Sequence, residues 1–309
     1  MNPLVGRDII EIPTLSKGEI DLILATSHDF EERLSHERHI PLLQNYILAT
    51  LFYEPSTRTR LSFEAAMLRL EGRVMSVAEV TSSSVAKGES IADTVRTIEQ
   101  YADVIVMRHP EAGAAHIAAD AINIPLINAG DGSRNHPTQA LLDLYTIQKE
   151  RGSIAGQTIA MIGDLKYGRT THSLAEALVH YDVRLLLVSP PELAMPDRIK
   201  DQLRAANVSF VETTDIEQAV RQADVMYVTR IQRERFPAPA EYDRFRGVFH
   251  IDPALVERAK PGLTIMHPLP RVDEISHEVD TYEGAAYFRQ ARNGVFVRMA
   301  ILALVLGAY

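Results

Sequence analysis

The stretch from residue 46 to residue 70 constrains the fold most, because an apolar β-strand pattern leads through a polar turn into a helix. Pro55 favours extended backbone at the residue before it, and an apolar stripe at helical spacing follows from residue 61. A strand, a turn and a helix are therefore expected in that order. The residues at the predicted helix N-terminus are Ser56, Thr57, Arg58 and Thr59.

This polar turn suits an anion. Free backbone N–H groups and the positive end of the helix dipole meet at a helix N-terminus, and hydroxyls and a guanidinium add further donors. Taken singly, a Ser or Thr before a helix is usually a cap, and an arginine is usually a solvated charge. The combination of hydroxyls and arginines in STRTR favours a phosphate site.

The rest of the chain repeats the alternation of strands and helices, which predicts parallel sheets of the α/β class. Ser16 and Glu19 suit a capping box before a first helix. The pattern predicts two doubly wound α/β domains joined by one long helix over residues 137–150. The strands predicted for the second half are 158–162, 184–188, 208–211, 225–228 and 263–266. A strand is also predicted over residues 104–107, and the last apolar run, 295–306, predicts a helix.

Composition limits the classes of function. The chain has 309 residues, 46% of them hydrophobic, and a formal net charge of −9, which argues against non-specific nucleic-acid binding. No apolar run is long enough to span a membrane, and the N-terminus lacks the pattern of a secretory signal. Because the chain has no Cys, disulfides and thiolate metal sites are excluded and a cytoplasmic location is expected.

The motifs together resemble the aspartate and ornithine carbamoyltransferase family over nearly the whole chain. They are EPSTRTRLSFE (54–64), MRHP (107–110), NAGDG (128–132), HPTQ (136–139), GDLKYGRT (163–170), TRIQRER (229–235) and HPLPRVDE (267–274). The resemblance implies a carbamoyl-phosphate domain, residues 1–136 with 293–309, and an aspartate domain, residues 137–292. It also implies that the last helix packs back on the first domain.

The implied reaction transfers the carbamoyl group of carbamoyl phosphate to the α-amino group of L-aspartate, for pyrimidine synthesis, without cofactor or metal. By resemblance, Arg108 contacts the phosphate and the carbonyl oxygen, Thr59 and His136 contact the carbonyl oxygen, and Gln139 contacts the carbamoyl NH2. The donors would stabilise developing negative charge. Carbamoyl-phosphate ligands implied in all are Ser56, Thr57, Arg58, Thr59, Ser84, Arg108, His136, Gln139, Pro268 and Leu269, and the residues implied to be catalytic are Arg58, Thr59, Lys87, Arg108, His136 and Leu269.

The polar segment over residues 81–90 is too hydrophilic for a core and is predicted to be a loop. The resemblance implies a homotrimer with shared active sites, in which Ser84 and Lys87 reach the active site of a neighbouring subunit. There both residues would contact phosphate, and Lys87 would also contact aspartate. The choice among Ser82, Ser83 and Ser84 stays open. Regulatory chains or another enzyme of the pyrimidine pathway are possible further partners.

GDLKYGRT differs by one residue from a nucleotide-binding P-loop, since Arg169 stands where that motif needs Lys. We interpret it as a carboxylate clamp instead. Arg169 would bind carboxylates of aspartate, and Arg230 with Gln232 would bind the side-chain carboxylate, because the guanidinium fork suits that group.

The segment HPLP could be a plain turn. The resemblance implies a cis peptide between Leu269 and Pro270, with the carbonyls of Pro268 and Leu269 facing the ligands. It also implies that Glu54 pairs with Arg169 and Arg235 when the domains close around both substrates.

Three alternatives stay open. An ornithine-specific enzyme shares the first-half motifs, but its pattern needs a Cys in an HCLP segment. A catalytically silent binding protein would have no need of binding residues for both carbamoyl phosphate and aspartate. A nucleotide-binding protein would rest on GDLKYGRT alone.

Overall fold

The computed structural model describes residues 2–77, 88–233, 236, 238 and 242–309. The chain forms two compact units, Met1–Tyr145 with Arg292–Tyr309, and Thr146–Ala291. Each unit contains one parallel sheet, of four strands in the first and five in the second. The predicted α/β fold with two parallel-sheet domains is confirmed.

The first unit begins with a helix whose N-terminus has the predicted capping box, in which Ser16 and Glu19 bond reciprocally. Its sheet has the strand order β2-β1-β3-β4. The elements are α1 (Lys17–His36), β1 (Ile47–Phe52), α2 (Thr57–Arg69), β2 (Arg73–Val77), α3 (Ile91–Glu99), β3 (Val104–His109), α4 (Ala114–Ala119), β4 (Leu126–Asp131) and α5 (Pro137–Arg151), the last of which continues into the second unit.

The second unit has the strand order β7-β6-β5-β8-β9. Three of its strands, β5, β6 and β8, have the predicted bounds. Its elements are β5 (Thr158–Ile162), α6 (Arg169–Leu178), β6 (Arg184–Val188), α7 (Asp197–Ala205), β7 (Ser209–Thr213), α8 (Ile216–Gln222), β8 (Val225–Val228), α9 (Pro253–Val256), β9 (Thr264–Met266) and α10 (Tyr287–Val305), of which the part from Arg292 belongs to the first unit. The expected return of the last helix is confirmed.

The cores lie around these sheets. In the first unit, apolar side chains of β1 and β3 pack with those of α3 and α4. In the second, β5, β6 and β8 pack with α8 and the segment before β9. Such near-continuous apolar strands are typical of parallel sheets that are covered on their faces. No helix in the described part of the chain is both long enough and apolar enough to cross a bilayer.

The strand order places one switch point in each sheet. In the first unit, β1 has β2 on one side and β3 on the other; in the second, β5 lies between β6 and β8. Ligands of open α/β sheets bind beyond the carboxyl ends of strands at such points. STRTR follows β1 and GDLKYG follows β5, so each motif lies where the fold opens a crevice.

Strand β7 covers Ser209–Thr213 rather than 208–211, and β9 begins at Thr264 rather than at residue 263. Two other boundaries differ from the prediction for reasons of tertiary structure. Strand β3 does not end at Met107, because Arg108 pairs in register with Phe52 and His109 pairs with Asp131. Helix α10 begins at Tyr287 rather than at residue 295. Its first turns have no apolar run, but Tyr287 is buried and Gln290 is held by a hydrogen bond from the backbone N–H of His267, 2.8 Å away.

Candidate active site

The first polar group lies where β1 gives way to α2. Ser56 occupies the position before the helix, and its side chain makes no capping bond within the described residues. Thr57 and Arg58 are exposed, whereas Thr59 is buried. The turn thus presents hydroxyls, a guanidinium and the first N–H groups of a 13-residue helix, which are the groups that an anion site at this position would use.

Arg108 lies beside this turn at the carboxyl end of β3. Its Nη2 is 3.1 Å from Oε2 of Glu54, and its Nη1 donates to the carbonyl oxygen of Ala129 at 3.4 Å. The backbone N–H of Tyr53 donates to the carbonyl of Arg108 at 2.9 Å. Arg108 and Glu54 are therefore fixed at one end of the sheet by the pairing of β1 with β3.

His136 precedes α5, and its carbonyl accepts from the backbone N–H groups of Gln139 and Ala140 at 3.0 and 3.2 Å. Both His136 and Gln139 are buried. The amide Nε2 of Gln139 donates to Oδ1 of Asp143 at 2.9 Å. The sequence reasoning missed Asp143, although its place one helical turn after Gln139 was a usable signal.

The turn after β5 is held from several directions. Gly163 has φ +119, and a Cβ there would collide with the carbonyl oxygen of Thr229. Oδ1 of Asp164 accepts from the backbone N–H groups of Lys166 and Tyr167 at 3.2 and 2.9 Å. Burial raises the pKa of Asp164, although these N–H groups partly offset that effect. The turn therefore leads directly into α6, of which Arg169 is the first residue.

The segment after β8 meets the same turn. Nε2 of Gln232 donates to the carbonyl oxygen of Tyr167 at 3.2 Å, and the backbone N–H of Thr229 donates to Ile162 at 2.8 Å. Arg230 lies between these two anchors and is half-buried. Within the second unit, the structure thus brings the segment of Arg230 and Gln232 beside the turn that leads to Arg169.

A buried histidine that the sequence reasoning did not single out supports this turn. Nε2 of His172 donates to the carbonyl of Leu165 at 2.8 Å, and Nδ1 accepts from Nη2 of Arg198 at 3.2 Å. Burial, together with the nearby Arg198 charge, lowers the pKa of His172 to about 4. The ring is therefore neutral at physiological pH.

The HPLP segment is fixed by a second buried histidine. Nδ1 of His267 accepts from the N–H of Leu269 at 2.8 Å, so the ring proton lies on Nε2, which donates to Oε1 of Glu274 at 2.6 Å. Burial is the largest single influence and opposes ionisation of Glu274, but the hydrogen bond from His267 and the backbone N–H groups of Val272 and Glu274 together outweigh it, so the pKa of this carboxyl is lowered. The Leu269–Pro270 peptide is cis, which confirms the prediction.

Comparison with known proteins identifies the family. The family model described as "Aspartate/ornithine carbamoyltransferase, carbamoyl-P binding domain" matches residues 7–149. The model described as "Aspartate/ornithine carbamoyltransferase, Asp/Orn binding domain" matches residues 155–305. The chain belongs to the aspartate/ornithine carbamoyltransferase family. The two domain descriptions match successive parts of this chain.

Individual carbamoyltransferases of this family are similar over almost their full length. The aspartate carbamoyltransferase catalytic subunit of Thermococcus gammatolerans is 56% identical over 302 residues, 98% of each chain. The catalytic subunit of M. Jannaschii aspartate transcarbamoylase has a TM-score of 0.89 and 52% identity over 96% of both chains. Trypanosoma cruzi aspartate transcarbamoylase in complex with carbamoyl phosphate and aspartate has a TM-score of 0.93 and 41% identity, covering 99% of this chain and 98% of that one.

Several residues singled out from the carbamoyltransferase motifs lie outside the described residues. They are Ser82, Ser83, Ser84, Lys87 and Arg235. Among the residues that the structure does describe, no group of three or more His, Asp or Glu side chains could hold a metal ion.

Proposed function

We propose that this chain catalyses carbamoyl transfer from carbamoyl phosphate to L-aspartate, giving N-carbamoyl-L-aspartate and phosphate in pyrimidine synthesis. The α-amino nitrogen forms a bond to the carbamoyl carbon, the bond from that carbon to the phosphate oxygen breaks, and the nitrogen releases a proton. The likeness to aspartate carbamoyltransferase catalytic subunits across both halves of the chain carries this proposal.

The carbamoyl-phosphate half-site is assigned to the first unit. Its phosphate would rest on the N-terminus of α2, with donors from Ser56, Thr57 and Arg58 and from the side chain of Arg108. The exposure of Arg58 and the position of Arg108 at the switch point of the sheet support this assignment.

The carbamoyl oxygen would face Thr59, Arg108 and His136, and Gln139 would contact the NH2 group. As the amine attacks, negative charge grows on that oxygen. A fixed hydrogen-bond donor there lowers the activation free energy by roughly 3 kcal/mol. The burial of Thr59 and His136 supports this role, because donors held in a site from which water is excluded need little reorganisation.

The aspartate half-site is assigned to the second unit. Arg169 and Arg230 would hold the two carboxylates, with Gln232 supporting the side-chain carboxylate and Lys87 adding a positive charge. The hydrogen bond between Gln232 and the turn of Tyr167 supports a common site for these segments. The carbonyls of Pro268 and Leu269 would orient the attacking amine, and the fixed His267–Glu274 pair supports a rigid turn there.

We assign the enzyme to a homotrimer in which Ser84 and Lys87 serve a neighbouring chain. Leu61 and Leu68, seven residues apart on one face of α2, are 50% and 56% exposed, and Met75 on β2 is 38% exposed. Strand β2 leads directly to the segment that carries Ser84 and Lys87. Exposed apolar side chains on this strand and on the helix that precedes it support an intersubunit surface.

A cytoplasmic location belongs to the same proposal. Regulatory chains or another enzyme of pyrimidine synthesis are candidate partners, and light scattering of the purified chain alone, and then mixed with them, tests both the trimer and these partners.

An assay of the purified chain with carbamoyl phosphate tests the reaction. Product formation is expected with L-aspartate and not with L-ornithine. ATP should give no binding in a parallel titration. Turnover of ornithine would identify the rival transferase, absence of turnover with either amino acid would indicate a silent binding protein, and saturable ATP binding would favour a nucleotide site at GDLKYGRT.

A further inference from the structure

A buried arginine joins three helices of the first unit at a point behind the proposed carbamoyl-phosphate site. Arg298 on α10 is 3% exposed, and its Nη1 donates to Oγ of Ser62 on α2 at 3.0 Å. Its guanidinium carbon lies 5.1 Å from the ring centroid of Phe63, the next residue on the same helix. Ser62 is one helical turn after Arg58, so Arg298 anchors the helix that carries the proposed phosphate ligands.

The charge of Arg298 interacts with Asp143 on α5. Burial lowers the pKa of Arg298 to about 10, and the carboxylate of Asp143 acts in the opposite direction. The guanidinium therefore stays protonated at neutral pH. Asp143 is fully buried, and a buried carboxylate retains its charge only when opposite charge and hydrogen bonds compensate for lost water.

Gly294 makes room for this arrangement. A Cβ at this position would collide with Nη1 of Arg298 and would lie 3.1 Å from Cδ2 of Leu142 on α5. The absence of a side chain lets the guanidinium lie along its own helix between α10 and α5. The local sequence thus selects one position for the buried charge.

Asp143 in turn fixes the orientation of Gln139. A carboxamide has a donor end and an acceptor end, whereas an ionised carboxylate only accepts hydrogen bonds. Since Oδ1 of Asp143 accepts from Nε2 of Gln139 at 2.9 Å, the carbonyl end of Gln139 must point away from Asp143. Gln139 is only 8% exposed, so few other orientations are open to it.

We propose that Asp143 and Arg298 are positioning residues that keep the side-chain oxygen of Gln139 turned towards the NH2 group of carbamoyl phosphate. This inference rests on the proposed function, in which Gln139 contacts that group. An NH2 group can only donate here, so a reversed amide would place two donors against each other. The pair therefore contributes to recognition of the carbamoyl group and not to recognition of phosphate.

The variant Asp143→Asn tests this with little change of shape. The new amide can donate to Oε1 of Gln139 as well as accept from its Nε2. Because the positive charge of Arg298 attracts the oxygen of this amide, donation is favoured, and Nε2 of Gln139 then faces the carbamoyl group. Calorimetry on the intact protein should show carbamoyl phosphate binding weakened about tenfold, the size of one lost hydrogen bond, and binding of inorganic phosphate unchanged. The Michaelis constant for carbamoyl phosphate should rise with it.

A double-mutant cycle separates positioning from a structural tie between helices. If Asp143 acts through Gln139, Asp143→Asn should not weaken carbamoyl phosphate binding any further when Gln139→Ala is already present. Additive losses, or equal losses for carbamoyl phosphate and phosphate, would overturn the inference.

A second pair of variants covers the case in which Asp143→Asn does not fold. Arg298→Lys keeps the charge and should keep the wild-type preference for carbamoyl phosphate over phosphate, whereas Arg298→Gln should reduce that preference about tenfold. If both variants show the same preference for carbamoyl phosphate over phosphate, the role of Arg298 is rejected. If the wild-type chain forms product but all variants bind carbamoyl phosphate and phosphate as it does, only the positioning inference fails. If the wild-type chain forms no product, the proposed function itself is contradicted.

Discussion

Arg108 and Glu54 form an ion pair across neighbouring strand ends, with 3.1 Å between Nη2 and Oε2. We assign the guanidinium of Arg108 to the phosphate and carbonyl oxygens of carbamoyl phosphate. In this structure it already lies beside the carboxylate of Glu54. Binding of an anion at Arg108 would compete with Glu54 and release it for other basic partners. Arg169 and Arg235 are the partners that we assign to it once both substrates are bound.

Glu54→Ala should lower kcat and raise the KM for aspartate about tenfold. A tenfold change corresponds to about 1.4 kcal/mol, which lies within the usual range of coupling free energies. Carbamoyl phosphate binding should be retained, since the lost carboxylate competes with the phosphate for Arg108. Steady-state kinetics and calorimetry measure the two effects. Asp21→Ala, which removes an exposed carboxylate paired with Lys17 on α1, is the matched control. Unchanged aspartate kinetics in Glu54→Ala would remove this residue from the mechanism.

Local sequence patterns predicted most of the fold and the placing of the main motifs. Strand β5 and the capping box of Ser16 could be read directly, because short continuous apolar runs and capping residues act over a few positions. The start of α10 could not, since Gln290 is held by the backbone N–H of His267, which lies 23 positions earlier, and Tyr287 is buried in the core of the second unit.

The supporting residues of the site were less accessible from sequence. His172 and Arg298 looked like ordinary helical residues, because their partners lie on other helices or across a turn. Asp143 had a local signal in its spacing from Gln139 on the same helix, but that spacing is common in helices. Motif resemblance identified the residues that would contact substrates. The hydrogen bonds that hold those residues in place appeared only with the coordinates.

His172 should make stability depend on pH. Its pKa is about 4 in the folded chain, against an ordinary value near 6.5, so the unfolded chain binds more protons between these two values. Stability from the neutral ring is complete above about pH 6.5 and is lost as the pH falls towards about 4. About 2 kcal/mol should be lost between pH 7.5 and pH 5 on this account.

Urea unfolding of the wild-type chain and of His172→Gln at both pH values measures this contribution. The glutamine amide can still donate to the carbonyl of Leu165, but it has no proton to gain. The difference in unfolding free energy between the two proteins should therefore shrink at pH 5. An equal difference at pH 7.5 and pH 5 would show that His172 does not titrate in this range.

Gly163→Ala should disrupt the aspartate half-site more than an ordinary glycine substitution does. The residue has φ +119 and its new methyl group would collide with the carbonyl of Thr229, so both backbone strain and a clash arise. Thermal unfolding should report a loss of about 3 kcal/mol, and KM for aspartate should rise. Gly156→Ala is the matched control, since its φ is +82 but nothing lies within 4 Å of the added carbon. Equal losses in both variants would assign the effect to backbone strain alone.

The shared active site predicts complementation between two inactive variants. Lys87→Ala removes a residue that we assign to the neighbouring chain's site, whereas Arg108→Ala damages the site of its own chain. Each variant alone should be almost inactive. When the two are mixed in equal amounts, dissociated and reassembled at random, a site is intact only where a chain with Arg108 receives a neighbour with Lys87.

In a cyclic trimer, that combination arises at about a quarter of the sites, one half multiplied by one half. Mixed samples should therefore recover about a quarter of the wild-type activity, while each variant carried through the same procedure alone should recover none. Subunit exchange is verified independently by mass spectrometry of trimers in which one variant carries a heavy isotope. If Lys87 serves its own chain, every site keeps one defect, and activity stays at the level of the separate variants even though exchange has occurred.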